Sequence, residues 1–371
     1  MGRLAAMKPV LPWLTAVGVL ALAGCAAAGV EAGPAAPASP TPAAPSAPTG
    51  VPDLTAAEEV ALGIEVPWGL TFLPGGDALV AERGTGSIFR VGPGGRDPLL
   101  VREIPGVDVQ IEGGLLGLAV SPRFAEDDLV YAYLTTADDS RIVRFALAGD
   151  AAAEVVVAGI TRGPGHSGGR IAFGPDGMLY ATVGDGTFSD RAQDPASPNG
   201  KILRFTADGA PAPGNPFPGS PVYSLGHRNP QGIAWHADGR MFAAEFGQDA
   251  VDEINLIEPG GNYGWPVVEG IGDTGGGRFT DPLLTWTVEE SSPSGIAVVG
   301  DTLYAAALRG ERLWEVPLDG SEPVSHLQGE YGRLRTVEVA PDGALWLTTS
   351  NHQRSGDPRD GDDRVLRFPS R

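Results

Sequence analysis

Histidine is scarce in this 371-residue chain, five in all, and His166 sits in the glycine-rich run GPGHSGGRIAFGPDGMLYATVGD at 163–185. Three chemistries are written over that run. Gly163, Gly165 and Gly168 match the G-x-G-x-x-G of a dinucleotide loop. Residues 165–169 (GHSGG) match the G-x-S-x-G of a hydrolase elbow around Ser167. His166 could also serve alone as a general base, since imidazole titrates near neutrality.

The elements around the run decide among these. From residue 53 one phrase recurs: Gly-Ile/Leu-Ala-apolar, a turn, then Leu-aromatic-Ala. Copies begin at Gly69, Gly117, Arg170, Gly232, Gly295 and Thr336, and their fourth residues are Phe72, Val120, Phe173, Trp235, Val298 and Val339. A second phrase, such as Arg141-Ile-Val-Arg-Phe or Lys201-Ile-Leu-Arg-Phe, follows each copy. Both phrases alternate apolar and polar residues, the period of a half-buried strand. Pro-Asp-Gly turns supply the positive-φ residues of tight hairpins. Six paired phrases of this length predict an all-β fold, a six-bladed β-propeller over 53–371. Residues 59–64 (EVALGI) are expected to pair with the last blade and close the ring. A dinucleotide loop or nucleophile elbow must open a helix. After Gly168 comes a short strand and the breaker Gly174-Pro175-Asp176-Gly177, so neither motif fits.

Composition narrows the class further. Lys and Arg total 26 against 46 Asp and Glu, a net charge of −20. That disfavours nucleic acid or an anionic membrane surface as a partner. The one cysteine, Cys25, excludes internal disulfides, a cysteine zinc cluster and a haem attachment motif. It follows a basic start (Arg3, Lys8) and an apolar run, and Leu22-Ala23-Gly24-Cys25 resembles a bacterial lipobox. Residues 1–24 therefore read as a signal peptide, with an ordinary secretory leader as the alternative. The Ala/Pro-rich 25–52 reads as a tether from a lipidated Cys25, reaching roughly 70–80 Å when extended. The protein is expected to be exported and held at the outer face of the membrane by that lipid alone.

The least repetitive sequence lies in the longer inter-strand loops: 184–190, 225–232 (LGHRNPQG), 245–255 (EFGQDAVDEIN) and 260–266 (GGNYGWP). GHRNPQG, DEINLIEPGGNYGWP and H-x-G-G-R together resemble the soluble quinoprotein family of glucose/sorbosone and aldose sugar dehydrogenases, over essentially all of 60–371. The resemblance implies a six-bladed propeller using pyrroloquinoline quinone (PQQ) and Ca²⁺. It implies His166 as catalytic base, Asp185 as the carboxylate orienting it, and Arg228 as a further catalytic group. It places Glu112, His166, Arg228, Asn229, Gln231, Arg309, Arg333 and Arg335 around PQQ. Carbonyls of Gly247 and Gln248 would hold the Ca²⁺ bridging PQQ. Glu253 and Tyr263 would hold a second, structural Ca²⁺, with Asp273 as a further ligand. His227 reads as structural, and the glycines of 163–185 as room for ligand.

Three positions depart from the family pattern. Glu112 stands in place of a glutamine, Gly165 in place of an aspartate found in some relatives, and Gln248 in place of a proline. The expected activity is oxidation of an aldose C1 hydroxyl to the lactone, with electrons passed to a separate acceptor. The alternatives are an exported propeller binding glycan or protein without catalysis, and a calcium-dependent sugar lactonase.

Overall fold

A computed structural model describes residues 50–371 apart from Arg96 and Asp273. Cys25, the leader, most of the tether and the candidate ligand Asp273 lie outside the described residues. The rest forms six four-stranded antiparallel sheets, and each is one blade. The anchors of the first repeat phrase fall in the innermost strands: Phe72 in Pro67–Phe72, Val120 in Leu115–Val120, Phe173 in Ile171–Phe173, Trp235 in Pro230–Trp235, Val298 in Pro293–Val299 and Val339 in Leu334–Val339. The second phrase supplies the third strand of each blade. In Ser140–Ala146, buried Ile142, Val143 and Phe145 alternate with outward Arg141 and Arg144.

The glycine that opens most copies is there for close approach. A Cβ on Gly69 would sit 2.3 Å from Leu116 O, on Gly117 2.4 Å from Gly169 O, and on Gly232 2.3 Å from Ser294 O. At these positions the innermost strands of adjacent blades approach this closely only without that carbon. The third and sixth copies carry Arg170 and Thr336 instead. These two belong to opposite blades and meet across the axis, Arg170 NH2 donating to Thr336 Oγ1 at 3.0 Å. Arg170 Nε donates to Gln231 O at 2.9 Å, and its guanidinium lies 4.3 Å above the Trp68 ring. Burial pushes this arginine down to about 10.

The ring closes with an N-terminal strand, Glu58–Leu62, paired to Arg364–Phe368. The closing strand thus starts one residue before the expected 59–64 and ends two earlier, because Gly63 turns away with φ +76°. Glu59–Arg364 and Glu58–Arg367 ion pairs, both 2.7 Å, flank the seam.

Blade 3 has no helix after Gly168; the chain runs into the three-residue strand Ile171–Phe173. This removes both nucleotide-loop and elbow readings. Blade 4 supplies the other departure from regularity. The 258–283 connection between its third and outer strands climbs along blade 3, where Asn262 pairs with Leu225 in parallel. Tyr263 N–H reaches Leu225 O, and Trp265 N–H reaches Gly226 O.

Candidate active site

The loops that enter the innermost strands, with those joining second to third strands, gather at one end of the channel. His166 lies in the entry loop of blade 3 and Asp185 in the loop after its second strand, Leu179–Val183. The strand-turn-strand between them brings Nδ1 of His166 within 2.7 Å of Asp185 Oδ1. Among the described residues His166 Nε2 makes no hydrogen bond. Asp185 is buried and its charge is held by donors: Thr187 N–H at 2.6 Å on Oδ1 and Trp265 Nε1–H at 2.8 Å on Oδ2. Burial works against this carboxylate, but the His166, Trp265 and Thr187 bonds outweigh it and hold its pKa below the usual value.

His166 adopts φ +54°, a region that costs a residue with a Cβ free energy. The glycines around it serve the backbone rather than a ligand, which corrects the expectation. A Cβ on Gly163 would fall 1.6 Å from Gly186 O, on Gly184 1.9 Å from His166 O, and on Gly168 2.7 Å from Thr182 O. They let the His166 and Asp185 loops lie against each other. Gly165 alone of these faces space, with Glu112 and Thr187 atoms 3.8 Å away.

Glu112, from the entry loop of blade 2, faces the same mouth. Its Oε2 accepts from Asn229 Nδ2 at 3.0 Å and from Ser167 N–H at 3.3 Å. Asn229 is fully buried, and its Oδ1 accepts from Gly168 N–H at 3.1 Å. The arginine beside Glu112 is Arg83, which the sequence reading passed over. Burial lowers its pKa and the Glu112 charge partly restores it.

Arg228 lies over the Trp265 ring at 5.6 Å and donates to Phe246 O at 3.2 Å. Its backbone N–H reaches Glu245, and its carbonyl accepts from Asp185 N–H. Glu245 also takes His227 Nδ1 at 2.8 Å. His227 is buried, stacked on Tyr263 and bonded to Ser224, a structural histidine.

Arg335 is almost fully buried and has no carboxylate in contact. It donates to Ser350 Oγ at 3.0 Å, Gln231 Oε1 at 3.3 Å and Gln353. Burial, then Arg83, Arg333 and Arg170, push its pKa well down. Gln231 is therefore occupied below the mouth, holding Arg335 and Ser294. Arg309 lies at the rim, more than half exposed and 3.1 Å from Glu289. Burial lowers the Arg333 pKa, Glu311 partly restores it, and Arg309 is near enough to lower it further.

Three of these arginines have a buried Nε with no partner: Arg83, Arg228 and Arg333. Orphaned guanidinium donors beside a mouth suit a ligand rich in carboxylates.

The loop 247–251 wraps one carboxylate oxygen of Glu269, which accepts the N–H groups of Gln248 (2.7 Å), Asp249, Ala250 and Val251. Gly247 has no room for a Cβ there, with Val251 O 1.7 Å from its position. Glu253 accepts from Gly270 N–H and Asn255 Nδ2. Burial and then the neighbouring Glu245 push its pKa up to about 7. Arg228, Glu245, Gly247, Glu253, Tyr263 and Glu269 are among the residues around a cavity of about 10 Å³, room for one water or small ion. Among the described residues no three acidic or histidine side chains form a ready metal cage. No described hydrogen bond reaches the carbonyls of Gly247, Gln248 or Tyr263. A hard cation here would draw on those carbonyls as well as Glu253.

Residues 64–356 match the glucose/sorbosone dehydrogenase family model. The chain belongs to that family. It is similar to the aldose sugar dehydrogenase of Streptomyces coelicolor, solved in a PQQ-bound form, at 50% identity over 86% of this chain and 100% of that one, TM-score 0.81. It is also similar to quinoprotein glucose dehydrogenase B of Acinetobacter calcoaceticus, 33% identical over 58% of this chain and 53% of that protein. Against the aldose sugar dehydrogenase of Escherichia coli K12 it is 26% identical over 77% of this chain and 87% of that one. Glucose/sorbosone dehydrogenases are sugar oxidoreductases, which gives the dyad and the arginines a reaction to serve.

Proposed function

We propose that this family member oxidises the C1 hydroxyl of an aldose to the lactone, with PQQ and Ca²⁺ as cofactors. The observation that carries the reading is the His166–Asp185 dyad, whose unpartnered Nε2 faces a mouth with orphaned arginine donors. Arg83, Arg228 and Arg333 are the residues suited to PQQ's carboxylates and quinone oxygens, with Asn229 and Glu112 beside them. The Gly247 and Gln248 carbonyls suit the cofactor's Ca²⁺, and Glu253 with the Tyr263 carbonyl a second one. PQQ supplies a hydride-accepting quinone, and Ca²⁺ the Lewis acidity that polarises it.

The chain's own residues do the proton work. Neutral His166, protonated on Nδ1 by virtue of Asp185, presents Nε2 to the C1 hydroxyl and takes its proton as the C1–H hydride departs. The negative Asp185 stabilises the resulting imidazolium. The unpaired guanidinium N–H groups offset the negative charge that develops opposite. A positioned base of this kind contributes roughly 10²–10⁴ in rate.

The test is reduction of an artificial dye by purified protein supplied with PQQ and Ca²⁺. Substrate-dependent turnover with at least one aldose is expected, and none across a panel of aldoses overturns the reading. Electrons then pass to a separate acceptor. We also propose export with a lipid on Cys25, supported by the leader and lipobox-like residues. Metabolic labelling with a fatty acid, lost in Cys25→Ser, tests that.

A further inference from the structure

Among the described residues, no arginine or lysine side chain bonds the buried carboxylate of Asp185. Its two oxygens are pinned from opposite sides, Oδ1 by His166 and Thr187, Oδ2 by the indole N–H of Trp265. Trp265 arrives from another blade and is itself fixed at several points. Its backbone N–H donates to Gly226 O at 3.0 Å, its carbonyl accepts from Gln193 Nε2 at 2.8 Å, and the Arg228 guanidinium lies over its ring. Gln193 and Asn262 exchange a further pair of amide bonds at 2.9 and 2.8 Å, holding the 258–283 strap to blade 3.

We propose that Trp265 is a positioning residue for the dehydrogenation. Its indole N–H clamps Asp185 Oδ2, so that Oδ1 stays aimed at His166 Nδ1 and Nε2 is kept free for the sugar. The role in turnover rests on the reaction proposed above; the clamp itself does not.

Two consequences follow from elementary electrostatics. A carboxylate held at both oxygens cannot rotate its acceptor away from the imidazole, which keeps the neutral ring in one tautomer. The indole dipole also spreads the Asp185 charge, so the dyad binds its extra proton less tightly than an unclamped pair. Other groups around the dyad are left in place when the indole nitrogen is removed. They are Glu112 through Ser167 N–H, Arg228 through Asp185 N–H, and Tyr133 and Arg162 lining the small cavity beside His166.

The test removes the N–H and keeps the ring. Trp265→Phe does so with a smaller ring; 3-benzothienylalanine at 265 does so with sulfur in place of N–H and nearly the same volume. The first readout is the titration of His166 in ¹⁵N-histidine-labelled protein without cofactor, its signal assigned by loss in His166→Gln. The dyad's midpoint is expected to rise by about half to one pH unit in both variants. The acid limb of kcat/KM for the aldose should rise with it, while KM stays within about twofold and kcat falls about tenfold. A midpoint unmoved in the benzothienylalanine protein overturns the proposal, as does an activity loss equal at every pH. A shifted midpoint in a protein that oxidises no aldose supports the clamp and overturns the reaction instead.

Discussion

Asn229 Nδ2 donates to Glu112 Oε2 across 3.0 Å, joining the entry loop of blade 4 to that of blade 2 at the mouth of the channel. The Ser167 N–H bond goes to the same oxygen. A glutamine at 112 can therefore accept both bonds through its single carbonyl oxygen while losing the charge. Glu112→Gln should leave stability within about 1 kcal/mol of wild type. PQQ affinity should rise about five- to tenfold as one negative charge leaves the arginine cluster. Cofactor titration by fluorescence checks this, and unchanged or weaker binding contradicts it.

The dyad makes a paired prediction. His166→Gln should cut kcat by roughly 10²–10⁴ with PQQ binding little changed. Asp185→Asn should do similar damage, because an amide can turn a donor toward Nδ1 and favour the wrong tautomer. The Asp185 pKa is depressed in the folded protein, so its contribution to stability is full above the unfolded value near 3.8 and is lost as pH falls through the lower folded value. The stability gap between wild type and Asp185→Asn, from urea melts, should narrow as the pH falls below about 4.

Arg333 pits stability against function. Its Nε is buried without a partner, and burial and Arg309 disfavour its charge by more than Glu311 restores. Arg333→Met should leave the cofactor-free protein unchanged or up to about 1 kcal/mol more stable. PQQ affinity should drop about tenfold through the lost charge-assisted contact. Thermal melts with and without PQQ separate the two effects.

Glu338, at the far end of the channel, gives a pH test away from the mouth. Burial pushes its pKa up to about 7 despite the attraction of Arg170. Between the unfolded value of 4.5 and 7 the folded protein holds a proton the unfolded chain has released, so stability falls as pH rises across that window. Glu338→Gln should be more stable than wild type by roughly 1–3 kcal/mol at pH 8, with the gap closing below pH 4.5. Denaturant midpoints at several pH values check it.

Much of the fold was legible because a propeller repeats one physical problem six times. The apolar alternation recurs in every copy, and a glycine opens the four in which neighbouring innermost strands come closest. The outer strands were not legible: Leu284–Trp286 and Val324–His326 are only three residues long and carry little pattern. At the site, His166 and Asp185 could be paired by topology, since one hairpin separates them. Trp265 could not. It reaches Asp185 from another blade by a parallel run of the strap along blade 3, a contact no local period encodes. The signal available was GNYGWP itself, an unrepetitive stretch with a tryptophan. Gln231 and Arg309 went the other way: position near the mouth in sequence left open whether a side chain turned inward, was consumed by Arg335, or paired with Glu289.

The bond between Arg170 and Thr336 crosses the axis and ties two opposite blades at the hub. With Trp68 packed against the guanidinium, three buried side chains from blades 1, 3 and 6 meet there. The same bond is a spoke: it links blade 6, which the Glu58–Leu62 strand completes at the rim, to blade 3 through the hub.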